Sequence, residues 1–124
     1  MDKLTNIEIG TFLKLFNRGG YVLDFTTNDF DVFTMESIGI ALCNEYHMSK
    51  GKSLAAYVNS ASTSDIEKLL NDLLSYYEEN YEQEYTENLT DDEYSYCQYN
   101  AEYARLYKKC RAYMNRVLNN TTPL

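Results

Sequence analysis

The sequence predicts an all-α fold, a small helical bundle that ends in an antiparallel helical hairpin. Three observations lead to this prediction: capping sequences recur along the chain, apolar residues follow helical spacing, and only one short stretch alternates like a strand. The chain has 124 residues, of which 44% are hydrophobic. A chain of this length can bury a core without the help of disulfides or metal ions.

The first helix is predicted over residues 6–18. Thr5 and Glu8 have the spacing of a capping box, and apolar residues follow at intervals of three and four. Gly19 and Gly20 then supply a left-handed stop. Residues 21–25 alternate, and we interpret them as an extended segment, with a short strand as the alternative, because one strand alone forms no sheet.

Two more helices are predicted in the N-terminal half. Residues 26–29 have the composition of a turn, and a helix is expected over residues 34–46. A shorter helix is expected over residues 52–58. The small polar residues 59–63 then form a linker.

The C-terminal half is predicted to be a helical hairpin. Ser64 begins a capping box that opens a helix over residues 65–85, and Thr90 begins another that opens a helix over residues 91–118. The short gap between these helices favours an antiparallel pair. We therefore expect a Phe-cored module over residues 1–63 and a Tyr-rich hairpin over residues 64–124, packed as one continuous domain.

A tyrosine-rich stripe marks the last helix. Its members, which we call the Tyr seam, are Tyr96, Tyr99, Tyr103, Leu106, Cys110, Tyr113 and Val117. Tyr rings bury apolar area, but each hydroxyl needs a partner or water. The seam is also longer than one helix of about 20 residues covers, so we predict a homodimer or a partner complex through this helix.

Acidic residues concentrate around the hairpin turn. The net charge is −8, and residues 76–93 hold eight acidic and no basic residues. They are Glu78, Glu79, Glu82, Glu84, Glu87, Asp91, Asp92 and Glu93. The hairpin would bring them together at one tip, which is either a solvated, well-capped helix end or a contact for a basic surface on a target protein.

The sequence contains no recognisable catalytic, metal or cofactor motif. The three cysteines, Cys43, Cys97 and Cys110, form no CxxC pair, and His47 is best interpreted as an exposed histidine at a helix end. Lys50-Gly51-Lys52-Ser53 resembles the end of a phosphate loop but has no glycine five residues before Gly51. We therefore expect no enzyme, no cofactor and no bound metal.

Charge and hydropathy limit the possible partners and location. An acidic protein repels nucleic acid, so direct nucleic-acid binding is not expected. The mean hydropathy is −0.51, and no apolar run is long enough to span a membrane. With no apolar leader at Met1, the expectation is a cytoplasmic protein that binds another protein.

Several segments of the N-terminal half are similar to a known family. They are residues 12–16, 20–25, 28–33, 46–57 and 68–77. Together, residues 4–77 resemble the small N-terminal helical domain of AbiJ-type abortive-infection proteins of bacteria. The resemblance implies an interaction or sensing module in antiviral defence, usually fused to an effector domain, and no recognisable effector follows here.

Our leading functional hypothesis is a non-enzymatic protein-interaction or regulatory module, associated with bacterial antiviral defence or with its inhibition by phage. The alternative is an acidic phage-encoded inhibitor, similar to an anti-CRISPR protein, that mimics nucleic acid and blocks a basic nuclease channel. An enzyme with an unrecognised site is a third hypothesis. The expected partner-binding residues are Tyr96, Tyr99, Tyr103, Tyr113, Glu78, Glu79, Glu82 and Glu84.

Overall fold

A computed structural model describes residues 3–86 and 101–120, and over this part the chain is helical apart from one small hairpin. The predicted all-α class is therefore confirmed. The elements are α1 (Asn6–Phe16), β1 (Asn17–Arg18), β2 (Tyr21–Val22), α2 (Thr27–Ile38), α3 (Leu42–Tyr46), α4 (Lys50–Ser60), α5 (Thr63–Asn80), α6 (Glu82–Tyr85) and α7 (Ala101–Asn120).

The capping box of α1 is confirmed. The Thr5 hydroxyl accepts from the Glu8 N–H at 3.1 Å, and the Glu8 carboxylate accepts from the Thr5 N–H at 2.9 Å. The helix ends at Phe16, before the predicted end at residue 18, because Asn17 is already extended. Local side-chain chemistry thus fixes the start of this helix, and the following hairpin fixes its end.

The two glycines after α1 form a hairpin turn and not the predicted helix stop. Asn17 pairs with Val22 and Arg18 with Tyr21 in an antiparallel ladder. Gly19 and Gly20 connect the strands with φ of +64° and +93°, a backbone that glycine adopts without strain. The strand alternative therefore holds for Tyr21–Val22, whose partner is a two-residue polar strand with no sequence pattern of its own.

The predicted helix over residues 34–46 is wrong at its start and in its middle. The helix begins at Thr27 because the Thr26 hydroxyl accepts from the Asp29 N–H at 3.0 Å, so the expected turn at residues 26–29 is a cap and first helical turn. Gly39, with φ of +76°, then ends α2. A separate helix, α3, starts at Leu42.

Distant residues contact the starts of α4 and α3. The Gly51 N–H donates to the Gly20 carbonyl at 3.0 Å, and a Cβ on Gly51 would lie 3.3 Å from the Gly20 backbone. Glycine at this position therefore lets α4 approach the hairpin closely. The Asp31 carboxylate of α2 accepts from the Cys43 and Asn44 N–H groups at 2.7 and 3.2 Å, which caps α3.

The capping residue of α5 differs from the prediction. The hydroxyl of Ser62 accepts from the Asp65 N–H at 3.3 Å, so the predicted box at Ser64 is wrong. Its expected partner Glu67 accepts instead from the Leu4 N–H at 3.1 Å. The expected helix over residues 65–85 is interrupted at Tyr81, and the predicted box at residues 90–93 lies outside the described residues.

The predicted antiparallel hairpin is confirmed. Arg111 in α7 pairs with Glu78 late in α5, whereas Leu118 at the end of α7 lies beside Lys68 early in α5. α7 also packs along α1, since Arg116 pairs with Glu8 at the start of α1. Buried residues of α1, α2, α5 and α7 belong to one apolar core. It includes Phe12, Phe16, Phe30, Leu69, Leu73, Tyr77, Cys110 and Met114.

Candidate protein-binding groove between α2 and α5

A groove of about 430 Å³ opens between α2 and α5. Its lining combines aromatic rings, hydroxyls and carboxylates, and we call it the α2–α5 groove. The lining residues are Phe33, Glu36 and Ser37 from α2, and Asp72, Ser75, Tyr76, Glu79 and Asn80 from α5. No histidine, cysteine or lysine is among these lining residues.

The aromatic wall of the groove is held by packing. The Tyr76 ring stacks on Phe25 with 4.4 Å between ring centroids, and it meets Phe33 edge-on at 5.8 Å. The Tyr76 hydroxyl donates to Asp24 at 2.7 Å. Burial, together with this bond to a carboxylate, raises the pKa of Tyr76 to about 12, so its hydroxyl stays neutral at physiological pH.

The carboxylates of the groove are of two kinds. Asp72 accepts from the Ser37 hydroxyl at 2.6 Å and pairs with Lys68 at 3.0 Å. Glu36 and Glu79 are exposed, and the described part of the chain gives neither of them a hydrogen bond or an ion pair. The groove therefore keeps two uncompensated negative charges beside an aromatic wall.

This combination favours a positively charged side chain. A guanidinium or ammonium group is attracted by an aromatic face and also pairs with carboxylates at its edge. Arginine suits such a site particularly well because its planar group can stack and donate at the same time. The groove can therefore receive a basic side chain from another molecule.

Glu78, a predicted partner-binding residue, is engaged within the fold. The guanidinium of Arg111 donates to its two carboxylate oxygens at 2.8 and 2.9 Å, and the Tyr107 hydroxyl donates as well. Burial acts to raise the pKa of Glu78, but the bonds from Arg111 and Tyr107 outweigh it and lower the pKa. Glu78 thus joins α5 to α7.

Glu84 is engaged in the same way. Arg18 donates to its two carboxylate oxygens at 2.7 and 2.9 Å, and the Tyr77 hydroxyl donates at 2.9 Å. Glu79 and Glu82 are exposed. The four predicted glutamates therefore do not present four free charges at one tip, and the rest of the acidic block, from Glu87 onward, lies outside the described residues.

The described part of the Tyr seam faces the protein's own core. Tyr103 lies under the Arg18 guanidinium, 3.9 Å from the ring centroid, and Tyr113 is half-buried. The most buried positions of α7 are Ala104, Cys110, Met114 and Val117, so the inner face is rotated from the predicted stripe. Tyr96 and Tyr99 lie outside the described residues.

The contacts that sequence reasoning missed have no local signal. Arg18, Tyr107 and Arg111 act through partners distant in sequence, and the α2–α5 groove exists only where two helices meet. The distribution of charge along the sequence gives one hint of these ion pairs. A chain with eight acidic residues in residues 76–93 and five basic ones in residues 94–124 has charges available to pair across the hairpin.

The described cysteines are poor nucleophiles. Cys43 and Cys110 are both free and buried. Burial raises the pKa of Cys43, and it raises the pKa of Cys110 to about 12, so both thiols stay protonated at neutral pH. His47 caps the end of α3 in a left-handed backbone conformation and is exposed, as the sequence predicts.

Residues 3–86 and 101–120 were compared with the requirements of a metal site and of a membrane span. No group of three or more histidine, cysteine or acidic side chains there has the arrangement of a metal site. In residues 3–86 and 101–120, no helix has both the length and the apolar character needed to cross a bilayer.

Comparison with models of protein families, with curated proteins and with solved structures gives no match to this chain.

Proposed function

We propose that this protein is an interaction module that binds a basic segment of a partner protein through the α2–α5 groove. The observation that carries the proposal is the placement of two exposed, unpaired carboxylates, Glu36 and Glu79, beside the rings of Phe33 and Tyr76. A basic side chain that enters the groove gains both charge pairing and contact with an aromatic face.

The charge of the whole chain adds to this local attraction. A net charge of −8 speeds the encounter with a basic partner, and the effect weakens as salt screens the charges. The groove wall is also rigid, because stacking on Phe25 and the bond to Asp24 hold Tyr76 in place. A preformed wall loses little entropy when the partner binds.

The cellular setting of the proposal comes from the sequence resemblance. Residues 4–77 resemble a domain of abortive-infection proteins, and all the groove residues except Glu79 and Asn80 fall within this range. We therefore propose a non-enzymatic, cytoplasmic regulatory role in bacterial antiviral defence or in its inhibition by phage. The partner is a protein with a basic segment, and direct binding of nucleic acid is not part of the proposal.

The nucleic-acid mimic remains the alternative proposal, in the form of an anti-CRISPR-like inhibitor of a basic nuclease channel. It draws on the acidic block, but Arg111 and Arg18 neutralise Glu78 and Glu84 within that block. Mimicry depends on a dense array of free negative charges, whereas the groove needs only Glu36 and Glu79. For this reason, binding through the α2–α5 groove is our leading proposal and the nucleic-acid mimic is the alternative.

A short peptide tests the groove directly. An arginine-containing peptide labelled with a fluorophore is titrated with the protein, and the same peptide with citrulline in place of arginine serves as the uncharged control. We expect measurable anisotropy change with the arginine peptide only. The double variant Glu36→Gln, Glu79→Gln should weaken binding about tenfold, which corresponds to about 1.4 kcal/mol.

Glu82→Gln is the matched control, because Glu82 is equally exposed but lies on α6 away from the groove lining. Its affinity for the peptide should match that of the unaltered protein. Equal weakening by Glu82→Gln and by the groove variant would mean that the peptide binds the acidic surface as a whole. That result would contradict the groove and favour the mimic.

The homodimer through α7 also stays a prediction. Arg18 lies over the ring of Tyr103 and Tyr113 is half-buried, whereas Tyr96 and Tyr99 lie outside the described residues. Light scattering over a range of protein concentrations measures the mass directly. A monomer at high concentration, or a dimer unchanged by Tyr99→Ala, would contradict the prediction.

A further inference from the structure

A second surface lies beside the α2–α5 groove and is apolar. Val32 and Met35 of α2 are each 51% exposed, which is high for apolar side chains of this size. With Ala41 they border a depression of about 270 Å³, whose other lining residues are Asp31 and Glu36. Val32 and Met35 lie on α2 away from the side that buries Phe30 and contacts the core.

The depression and the groove form one continuous surface. Glu36 lines both of them, so the apolar depression and the aromatic wall lie on either side of a single carboxylate. Single apolar residues on a surface are ordinary, whereas neighbouring exposed apolar side chains with a polar rim can form part of an interaction site.

The charges of this surface define what complements it. The residues that line the groove and the depression include Asp31, Glu36, Asp72 and Glu79, and none of them is a lysine or an arginine. Asp31 already caps α3, and Asp72 is paired with Lys68, so the free charges are those of Glu36 and Glu79. A complementary segment therefore carries positive charge beside apolar side chains.

A second copy of this chain carries the same net charge of −8, which opposes its docking on this acidic surface, and its α7 does not complement the apolar part. The exposed cations of α7 in its first three turns are Arg105, Lys108 and Lys109, and they share one face. That face has no large exposed apolar residue nearby, because the one on α7 is Leu118, nine positions after Lys109. α7 would match the charges but leave the apolar depression unfilled.

We propose that the surface docks a basic amphipathic α-helix of another protein. Apolar side chains of that helix fill the depression at Val32 and Met35, and a basic side chain one turn away enters the groove beside Glu36. An amphipathic helix presents anchors at intervals of three, four and seven residues, which suits two adjacent concavities. The inference rests on the proposed function and adds the class of segment that the groove receives.

Two peptides of about four helical turns test the inference. Both carry the same number of arginines, and one has leucines one turn from an arginine, on the same side of the helix, where the other has serines. Binding is measured by anisotropy for the unaltered protein and for the double variant Val32→Ser, Met35→Ser. We expect this variant to bind the leucine peptide about tenfold more weakly and the serine peptide with unchanged affinity.

Ile7→Ser is the matched control, because Ile7 is 84% exposed on α1 and the change is chemically the same. It should leave the affinity for both peptides unchanged. The methyl group of Met35 should also shift in NMR spectra on addition of the leucine peptide. Unchanged thermal unfolding of the variants would show that they remain folded.

The outcomes separate the inference from the function on which it rests. If the Val32, Met35 variant binds the leucine peptide normally while Glu36→Gln, Glu79→Gln weakens both peptides, the amphipathic helix is refuted and the proposed function stands. If the glutamate variant changes neither peptide, both proposals fail. Self-association that the Val32, Met35 variant abolishes would make a second copy the occupant and would overturn the inference.

Discussion

The guanidinium of Arg18 holds both carboxylate oxygens of Glu84, at 2.7 and 2.9 Å, and so ties the β1–β2 hairpin to α6. Both side chains are only 21% exposed. The same guanidinium lies 3.9 Å from the ring centroid of Tyr103, so it also contacts α7. One side chain thus joins three elements that are distant in sequence.

Replacing Arg18 by lysine should destabilise the fold although it keeps the charge. Lysine donates from a single ammonium and does not form the two parallel bonds or stack as a planar group. We expect the free energy of unfolding to fall by about 1–2 kcal/mol in urea denaturation. Arg105→Lys is the control, because Arg105 is exposed on α7. An equal loss of stability from the two changes would argue against the role of Arg18.

Neutralising Glu78 should affect stability in a way that neutralising Glu82 does not. Glu78→Gln removes the charge that Arg111 pairs with in a partly buried setting, so we expect a loss of about 1–2 kcal/mol. Glu82 is exposed among like charges, so Glu82→Gln should leave stability unchanged or raise it slightly. Chemical denaturation of both variants measures this difference. Equal stability changes in the two variants would mean that Glu78 is as solvated as Glu82.

The cap of α5 can be tested by two neighbouring serines. Ser62→Ala removes the hydroxyl that accepts from the Asp65 N–H and should cost about 1 kcal/mol. Ser64 lies within the first turn of α5, so Ser64→Ala should leave the stability nearly unchanged. Thermal unfolding distinguishes the two, and a larger loss at Ser64 would restore the capping box that the sequence predicted.

The stability of the protein should fall in acid partly through Glu8. Hydrogen bonds from Arg116 at 2.6 and 2.7 Å lower the pKa of Glu8 from 4.5 to about 2, although partial burial opposes this change. Because the folded-state pKa is the lower one, the contribution of Glu8 is present above pH 4.5 and is lost as the pH falls toward 2.

Glu8→Gln tests this contribution because glutamine can still complete the capping box with Thr5. We expect the variant to be less stable by about 1 kcal/mol at neutral pH, a modest value since Arg116 is more than a third exposed. Urea denaturation between pH 2 and 7 should show a flatter profile than that of the unaltered protein. An unchanged profile would show that the pair contributes nothing.

Features that depend on neighbouring residues could be predicted from the sequence. The capping box of Thr5 and Glu8 and the apolar spacing of α5 each act within a few residues, and the structure confirms them. Errors arose where two local signals compete. Ser62 and Ser64 are both good caps by residue type. In the fold Ser62 caps the helix, and Glu67, the partner expected for Ser64, accepts from the Leu4 N–H.

The sequence by itself therefore determined the helical class, most helices and the hairpin, because helix formation follows the periodicity of the chain. Only the tertiary structure decided which charges stay free. Glu78 and Glu79 are adjacent in sequence, yet one turns to Arg111, 33 positions away, and the other faces the α2–α5 groove. Adjacent residues on a helix point in different directions, so their surroundings depend on which helices pack beside them.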